Sequence, residues 1–263
     1  MWRLRTSAKR SNAKTDLSGL ACTSLTRSCW ARFRKNWASH DLAIEDAHCA
    51  HQRPKLEQYD DCLFVVLRTA QLVGEPHHLE FGETHIFVGP RYVVSVRHGS
   101  LRSHIGLRAR CEASQRLLLA KGPGFVLYAL MDFVVDQYLP IVEALEEQVV
   151  ELEEVIFGEK LIHETTSRIY HLKRELLSIK RAVWPLVDVC NRLMRFDVEL
   201  VPADTKPYFR DVYDHAVRIN EMVDTLRELL ATALDANLSL ISVSQNKPSV
   251  LRHGPRSLPH LRR

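Results

Sequence analysis

No two cysteines in this sequence stand close together along the chain. The six, Cys22, Cys29, Cys49, Cys62, Cys111 and Cys190, are scattered over 263 residues without a C-x-x-C among them. That spacing argues against a secreted, disulfide-stapled domain and predicts reduced, mostly structural thiols. Long apolar runs are missing as well. The longest uninterrupted run, Phe125 to Met131, ends after seven residues at Asp132, whereas a spanning helix needs about 20. The expectation is therefore that no segment crosses a bilayer and that the chain is soluble and cytoplasmic. No G-x-S-x-G, Walker loop or G-x-G-x-x-G occurs, and the H-E-x-x-H opened by His163-Glu164 fails at Ser167. His77-His78 reads as a loop pair rather than a ligand pair, no internal repeat is visible, and an enzyme is the least expected class.

Acidic residues are nearly absent from both ends. Residues 1–39 hold nine Lys/Arg against Asp16 alone, and residues 247–263 hold five Lys/Arg and no acid. The formal net charge of +4 consequently hides a body, residues 40–246, with a net charge of −9. An acidic body suits cations as partners and does not suit nucleic acid. The apolar share of 46% is enough for a substantial core.

Read along the chain, residues 1–39 form a basic leader, rich in Ser and Thr and without hydrophobic period, expected to be disordered; its composition would also fit a transit peptide. DLAIEDAHCA (41–50) reads as a short helix, with Pro54 beyond its end. CLFVVLRTA (62–70), HIFVG (85–89) and RYVVSVR (91–97) read as strands of a small, largely antiparallel sheet, with Gly74, Gly82 and Gly89-Pro90 as turns. After Gly99 the pattern becomes helical: one helix near 102–119, a break at Gly122-Pro123-Gly124, a long helix to Phe157, another over 161–195, and a last over 207–245. In the last, Ile219, Met222, Leu226, Leu230, Leu234, Leu238 and Ile241 step by three or four, drawing one stripe along a helix too long for a compact domain. The acidic run EALEEQVVELEEV (143–155) reads as a solvated helix face.

Several strings fall in an order that resembles one known family: LAIEDAHCAHQRPKLEQYDDCLFVVL (42–67), GPGFVLYALMDFVVDQY (122–138), HLKREL and VWPL (171–176, 183–186) and KPYFRDVYDHAVRI (206–219). They are similar to segments of the CorA magnesium and cobalt transport proteins. The resemblance implies an α+β fold, an α/β domain with a small mainly antiparallel sheet over 40–119, followed by long helices over 120–246 that include a stalk helix. In that family the last helix continues through the inner membrane as the pore-lining helix of a homopentamer, with a Gly-Met-Asn selectivity motif. No Gly-Met-Asn occurs here, and residues 247–263 form a basic tail containing Pro248, Pro255 and Pro259. The implied function is the cytosolic, cation-sensing regulatory part of an ion transport protein, truncated before the pore. The alternatives are a zinc-transporting branch of the same family and a soluble helical scaffold without transport.

The resemblance also implies regulatory cation sites between neighbouring subunits, with Mg²⁺, or Co²⁺, as the ion. Glu45 and Asp46 match an acidic pair on the α/β domain, Asp132 matches an acid on a long helix, and Asp211 and His215 match stalk positions. The chemistry is sensible, because Mg²⁺ keeps much of its water and needs few carboxylates. Asp211 and His215, at i and i+4, share a helix face. The competing readings are a surface acid at Asp46, an arginine partner for Asp132, and a plain helical pair for Asp211 and His215.

Overall fold

A computed structural model describes residues 18–22, 45–47, 52–74, 78–99, 122–158, 164–195 and 199–246. Strands β1 (Ser18–Cys22), β2 (Lys55–Tyr59), β3 (Cys62–Val73), β4 (His78–Gly89) and β5 (Tyr92–His98) form one sheet in the order β1-β5-β4-β3-β2. Its last four strands are an antiparallel meander, and β1 lies parallel to β5. The Asp60-Asp61 turn between β2 and β3 places Asp60 at φ 46°, a left-handed conformation that aspartate tolerates.

The run CLFVVL is apolar at every position because both faces of the sheet are covered. Leu63, Val65 and Leu67 pack on one side with the helices, while Phe64 and Val66 pack on the other with Ala47, Phe87, Val94 and Val96. Alternation along a strand sends successive side chains to opposite faces, so two buried faces give a continuous apolar string.

Two strand expectations need correction. Gly82 is no turn: it lies inside β4 opposite Thr69, in a ladder that runs without interruption from Leu63↔Val88 to Val73↔His78. Backbone pairing with the long β3 carries HLEFGE into the sheet despite its weak β propensity. Ser18–Cys22, within the presumed leader, is a strand at the β5 edge. Edge pairing uses main-chain groups and needs no hydrophobic period, which is why the composition of that segment gave no sign of it.

The helices are α1 (Pro123–Val135), α2 (Tyr138–Phe157), α3 (Thr165–Arg195) and α4 (Lys206–Asn246). The long helix expected up to Phe157 is interrupted in its hydrogen bonding at Asp136–Gln137, although both residues keep right-handed helical dihedrals. Pro140 explains the break, since it has no N–H and its ring crowds the carbonyl four residues back, at Asp136. The region Pro123–Phe157 also corrects the membrane expectation: it contains an 18-residue window of mean hydropathy 1.5, apolar enough to cross a bilayer by length and composition. Scattered aspartates shorten a run without lowering a window average much. In this fold 61% of that window is buried, with Leu127, Met131 and Val134 fully enclosed in the core.

α4 is one helix of 41 residues, about 60 Å long. Its buried stripe is Phe209, Val212, Ala216, Ile219, Val223, Leu226, Leu230 and Ala233, so the face is rotated from the expected one: Met222 and Leu234 sit at its margin and Leu238 is exposed. α3 runs antiparallel to α4, tied by Lys180 Nζ to Asp224 Oδ1 at 2.5 Å and by Asn237 Nδ2 donating to Thr166 Oγ1 at 2.9 Å. Beyond Asn237, residues 238–243 have no buried member. The helical bundle is fastened to the sheet by Tyr138 Oη donating to Arg68 O at 2.8 Å and Arg192 Nη1 donating to Leu56 O at 2.6 Å. Among the described residues Cys62 and Cys190 are buried free thiols, and burial pushes Cys190 up to about 12. The helix expected near 102–119 lies outside the described residues, as does most of the one expected over 41–50, of which Glu45–Ala47 is a helical turn.

Candidate metal centre

The end of α1 and the beginning of α4 are held side by side by close backbone approach and by aromatic rings. At Gly124 a Cβ would run into the Leu200 carbonyl oxygen, so only glycine lets the first turn of α1 sit against the loop that leads into α4. Phe125 and Tyr128 of α1 then meet Tyr208 and Phe209 of α4, with ring centroids 5.1 to 6.2 Å apart. This packing sets the azimuth of both helices. One turn beyond the rings, each helix presents an i,i+4 polar pair, Asp132 with Asp136 and Asp211 with His215.

Asp132, Asp211 and His215 each offer a ligand atom, and these atoms lie within 4.8 Å of one another. His215 Nε2 is 4.0 Å from Asp211 Oδ1, an i,i+4 ion-pair contact at the limit of reach and too long for a hydrogen bond. His215 Nδ1 is 3.2 Å from Asp136 Oδ1, within ion-pair reach, but the two atoms are not aligned as a hydrogen bond and Nδ1 has no hydrogen-bond partner. Asp132 is half-buried, Asp211 is exposed, and the Asp136 and His215 side chains retain 48% and 34% of their exposure.

Asp132 lies in the last turn of α1 and Asp136 at its C-cap, just before α2, with no basic residue in that last turn. Tyr128 registers the field: burial, then the charges of Asp132, Asp211 and Asp136, push its hydroxyl up to about 12. Two carboxylates and an imidazole, with the Asp136 carboxylate beside the imidazole, are a donor set suited to a divalent cation. A spread of up to 4.8 Å exceeds the about 4.2 Å between opposite ligands held at 2.1 Å on Mg²⁺. The set fits an ion that keeps part of its water. An imidazole nitrogen bound directly would favour Co²⁺ or Zn²⁺ over Mg²⁺.

Glu45 and Asp46 are not brought to this corner within one chain. They sit on the helical turn whose Ala47 packs on the sheet face turned away from the helices. Asp46 Oδ2 accepts from Lys55 Nζ at 2.6 Å, and Lys55 also reaches Glu57 Oε1 at 3.0 Å. Burial opposes the Lys55 charge, but the hydrogen bonds to Asp46 and Glu57 outweigh it and raise its pKa above the ordinary value. Glu45 is exposed. Asp136 stands beside the cluster through His215 and is not among the residues expected from the sequence. Its signal was present, since LMDFVVD places it four residues after Asp132, the same spacing used to pair Asp211 with His215.

The family described as CorA-like Mg²⁺ transporter protein matches residues 20–249. The cobalt/magnesium transport protein CorA of Thermotoga maritima is 32% identical over 208 residues, which cover 79% of this chain and 59% of that protein. The chain thus spans less than two thirds of that relative's length. Among solved structures, the soluble domain of CorA from Methanocaldococcus jannaschii superposes with a TM-score of 0.74 at 19% identity, covering 86% of this chain and 89% of that one. The ZntB cytoplasmic domain from Vibrio parahaemolyticus superposes with a TM-score of 0.68 at 16% identity, covering 92% of each chain.

Proposed function

The chain belongs to the CorA-like Mg²⁺ transporter family, and on that premise we propose that it is the cation-sensing part, outside the membrane, of a divalent-cation transporter. The observation that carries this reading is the Asp132, Asp211 and His215 cluster, whose ligand atoms lie within 4.8 Å of one another. These residues, with Asp136, would hold a partly hydrated Mg²⁺ or Co²⁺. The ion would supply positive charge between the carboxylates, which would give oxygen ligands or accept hydrogen bonds from ion-bound water. Because α1 and α4 each contribute a pair, ligand binding draws the two helices together and stiffens the start of α4, the helix that leads away from the domain.

Asp46 and Glu45 enter the proposal from a neighbouring subunit of a homo-oligomer. The net charge of −9 over residues 40–246 makes subunits repel, and a divalent cation shared between Asp211 and the partner's acidic pair would offset that repulsion. Assembly would then report the ion concentration to the membrane part of the transporter. The His215 nitrogen in the cluster favours the zinc-branch alternative as a second reading, distinguishable by ion preference.

The test is the midpoint of thermal unfolding against Mg²⁺, Co²⁺ and Zn²⁺, with sedimentation in parallel and KCl at matched ionic strength. Millimolar Mg²⁺ should raise the midpoint by mass action and shift the population toward the oligomer. Asp211→Ala should abolish the thermal response, Asp46→Ala should abolish chiefly the shift in assembly, and the exposed control Glu154→Ala should leave both intact. Equal responses from wild type and the Asp46/Asp211 double substitution would refute the assignment of these residues, and a response to Zn²⁺ at far lower concentration than to Mg²⁺ would favour the zinc reading.

A further inference from the structure

The same end of α4 carries a second feature of the opposite charge. Where α3 ends and α4 begins, Arg195, Lys206 and Arg210 line a cavity of about 510 Å³, with Asn191, Met194 and Tyr213 on its wall and Asp214 as its one carboxylate. The volume falls in the range of small-molecule sites, about 300–1,000 Å³. Arg195 is well placed by local rules, because it stands in the last turn of α3 and complements the negative helix end. Lys206 and Arg210 break those rules. They occupy the first and second turns of α4, the positive end of a 41-residue helix with no acidic residue in its first turn. Among the described residues neither Arg195 nor Arg210 has a hydrogen-bond or ion-pair partner. Arg195 and Arg210 are exposed, and with Lys206 they outnumber the one carboxylate of the concavity, so an anion seated there would be favoured.

We propose that this cavity binds a small molecule bearing two or three linked phosphates, with Arg195, Arg210 and Lys206 on the phosphates and the Tyr213 and Met194 wall against its organic part. Guanidinium groups grip phosphate oxygens two at a time, and two of them beside an ammonium match a di- or triphosphate better than a single phosphate. A phenol ring and a thioether offer a flat, polarizable surface for a heterocycle. The cavity is separate from the metal cluster. Arg210 and Asp214 form one i,i+4 pair on α4, and Asp211 and His215 form another one residue further on, about 100° around the helix.

The experiment uses the full chain in EDTA, so that it does not depend on the metal cluster. Binding of ATP, inorganic pyrophosphate, adenosine and phosphatidylcholine vesicles containing phosphatidic acid is measured by titration calorimetry or co-sedimentation, with KCl at matched ionic strength as control. Saturable binding of pyrophosphate and tighter binding of ATP, with none of adenosine alone, is the expected result. The Arg195→Gln/Arg210→Gln double variant should bind ATP at least tenfold more weakly, while Arg174→Gln/Arg181→Gln on the exposed face of α3 should bind like wild type. If the double variant does not fold, protection of Arg195 and Arg210 by ATP against phenylglyoxal, read by peptide mass spectrometry, answers the same question. Equal affinity of the double variant and wild type, absence of protection, or binding confined to the vesicles would overturn the proposal.

Discussion

Replacing Asp136 by asparagine should stabilise the protein when divalent ions are absent and weaken its response when they are abundant. Asp136 stands between α1 and α2, four residues after Asp132. Removing its charge relieves a like-charge i,i+4 pair of about 0.2–0.5 kcal/mol. Asparagine keeps the shape of the side chain. The expected gain is about 0.2–0.5 kcal/mol, or about 0.4–2 °C in midpoint at about 2–4 °C per kcal/mol for a chain of this size. Saturating Mg²⁺ acts in the other direction: at a hundred times Kd it stabilises wild type by about 2.7 kcal/mol. Loss of the carboxylate beside the cluster should weaken binding by about 1 kcal/mol, close to fivefold in Kd. The two unfolding curves should therefore cross as Mg²⁺ rises. The assay is scanning calorimetry at one fixed pH, from EDTA to millimolar MgCl₂ with KCl balancing ionic strength. A D136N variant less stable than wild type in EDTA, or one with an unchanged Mg²⁺ dependence, would refute the view that carboxylate repulsion at the end of α1 is what the ion relieves.

Two further outcomes follow from the helix packing. The Lys180 hydrogen bond, opposed by partial burial and aided by the Lys180 charge and by Arg227, holds the Asp224 carboxyl below its ordinary value; the stability it brings is complete above the unfolded carboxylate range, near pH 4, and is lost as pH falls through the lower folded value. Lys180→Met should therefore cost about 0.2–1 kcal/mol at pH 7 for this half-exposed pair and flatten the acid limb, as urea unfolding at pH 7 and pH 3 would show. Met131→Ala removes a fully buried side chain between the sheet and the helices and should cost about 2–5 kcal/mol, measured by the urea midpoint at constant slope.

Both the fold and the candidate site were partly legible in the residues. The strand strings, the turn at Gly89-Pro90 and the long α4 could be read directly, because β-branched runs and a step of three or four are local properties. The Gly82 position, the break at Asp136 and the β1 edge strand could not. Each depends on a partner: the β3 ladder, the Asp136 carbonyl crowded by Pro140, and the open edge of β5. At the site, Asp211 with His215 could be paired from spacing alone, whereas Asp136 stood in plain view with the same spacing and was passed over.

By itself, then, the sequence determined which residues are acidic, at which intervals they recur along each helix, and that an acidic body lies between basic ends. These are statements about neighbours in the chain, and helix periodicity converts them into faces. Only the tertiary structure decided which faces meet. Gly124 against Leu200 and the rings of Phe125, Tyr128, Tyr208 and Phe209 lock α1 to α4, and this sets Asp132 and Asp136 opposite Asp211 and His215 while leaving Glu45 and Asp46 on the far face of the sheet. The physical reason is that a cation site is a matter of a few ångströms between residues far apart in sequence, and packing alone fixes such distances.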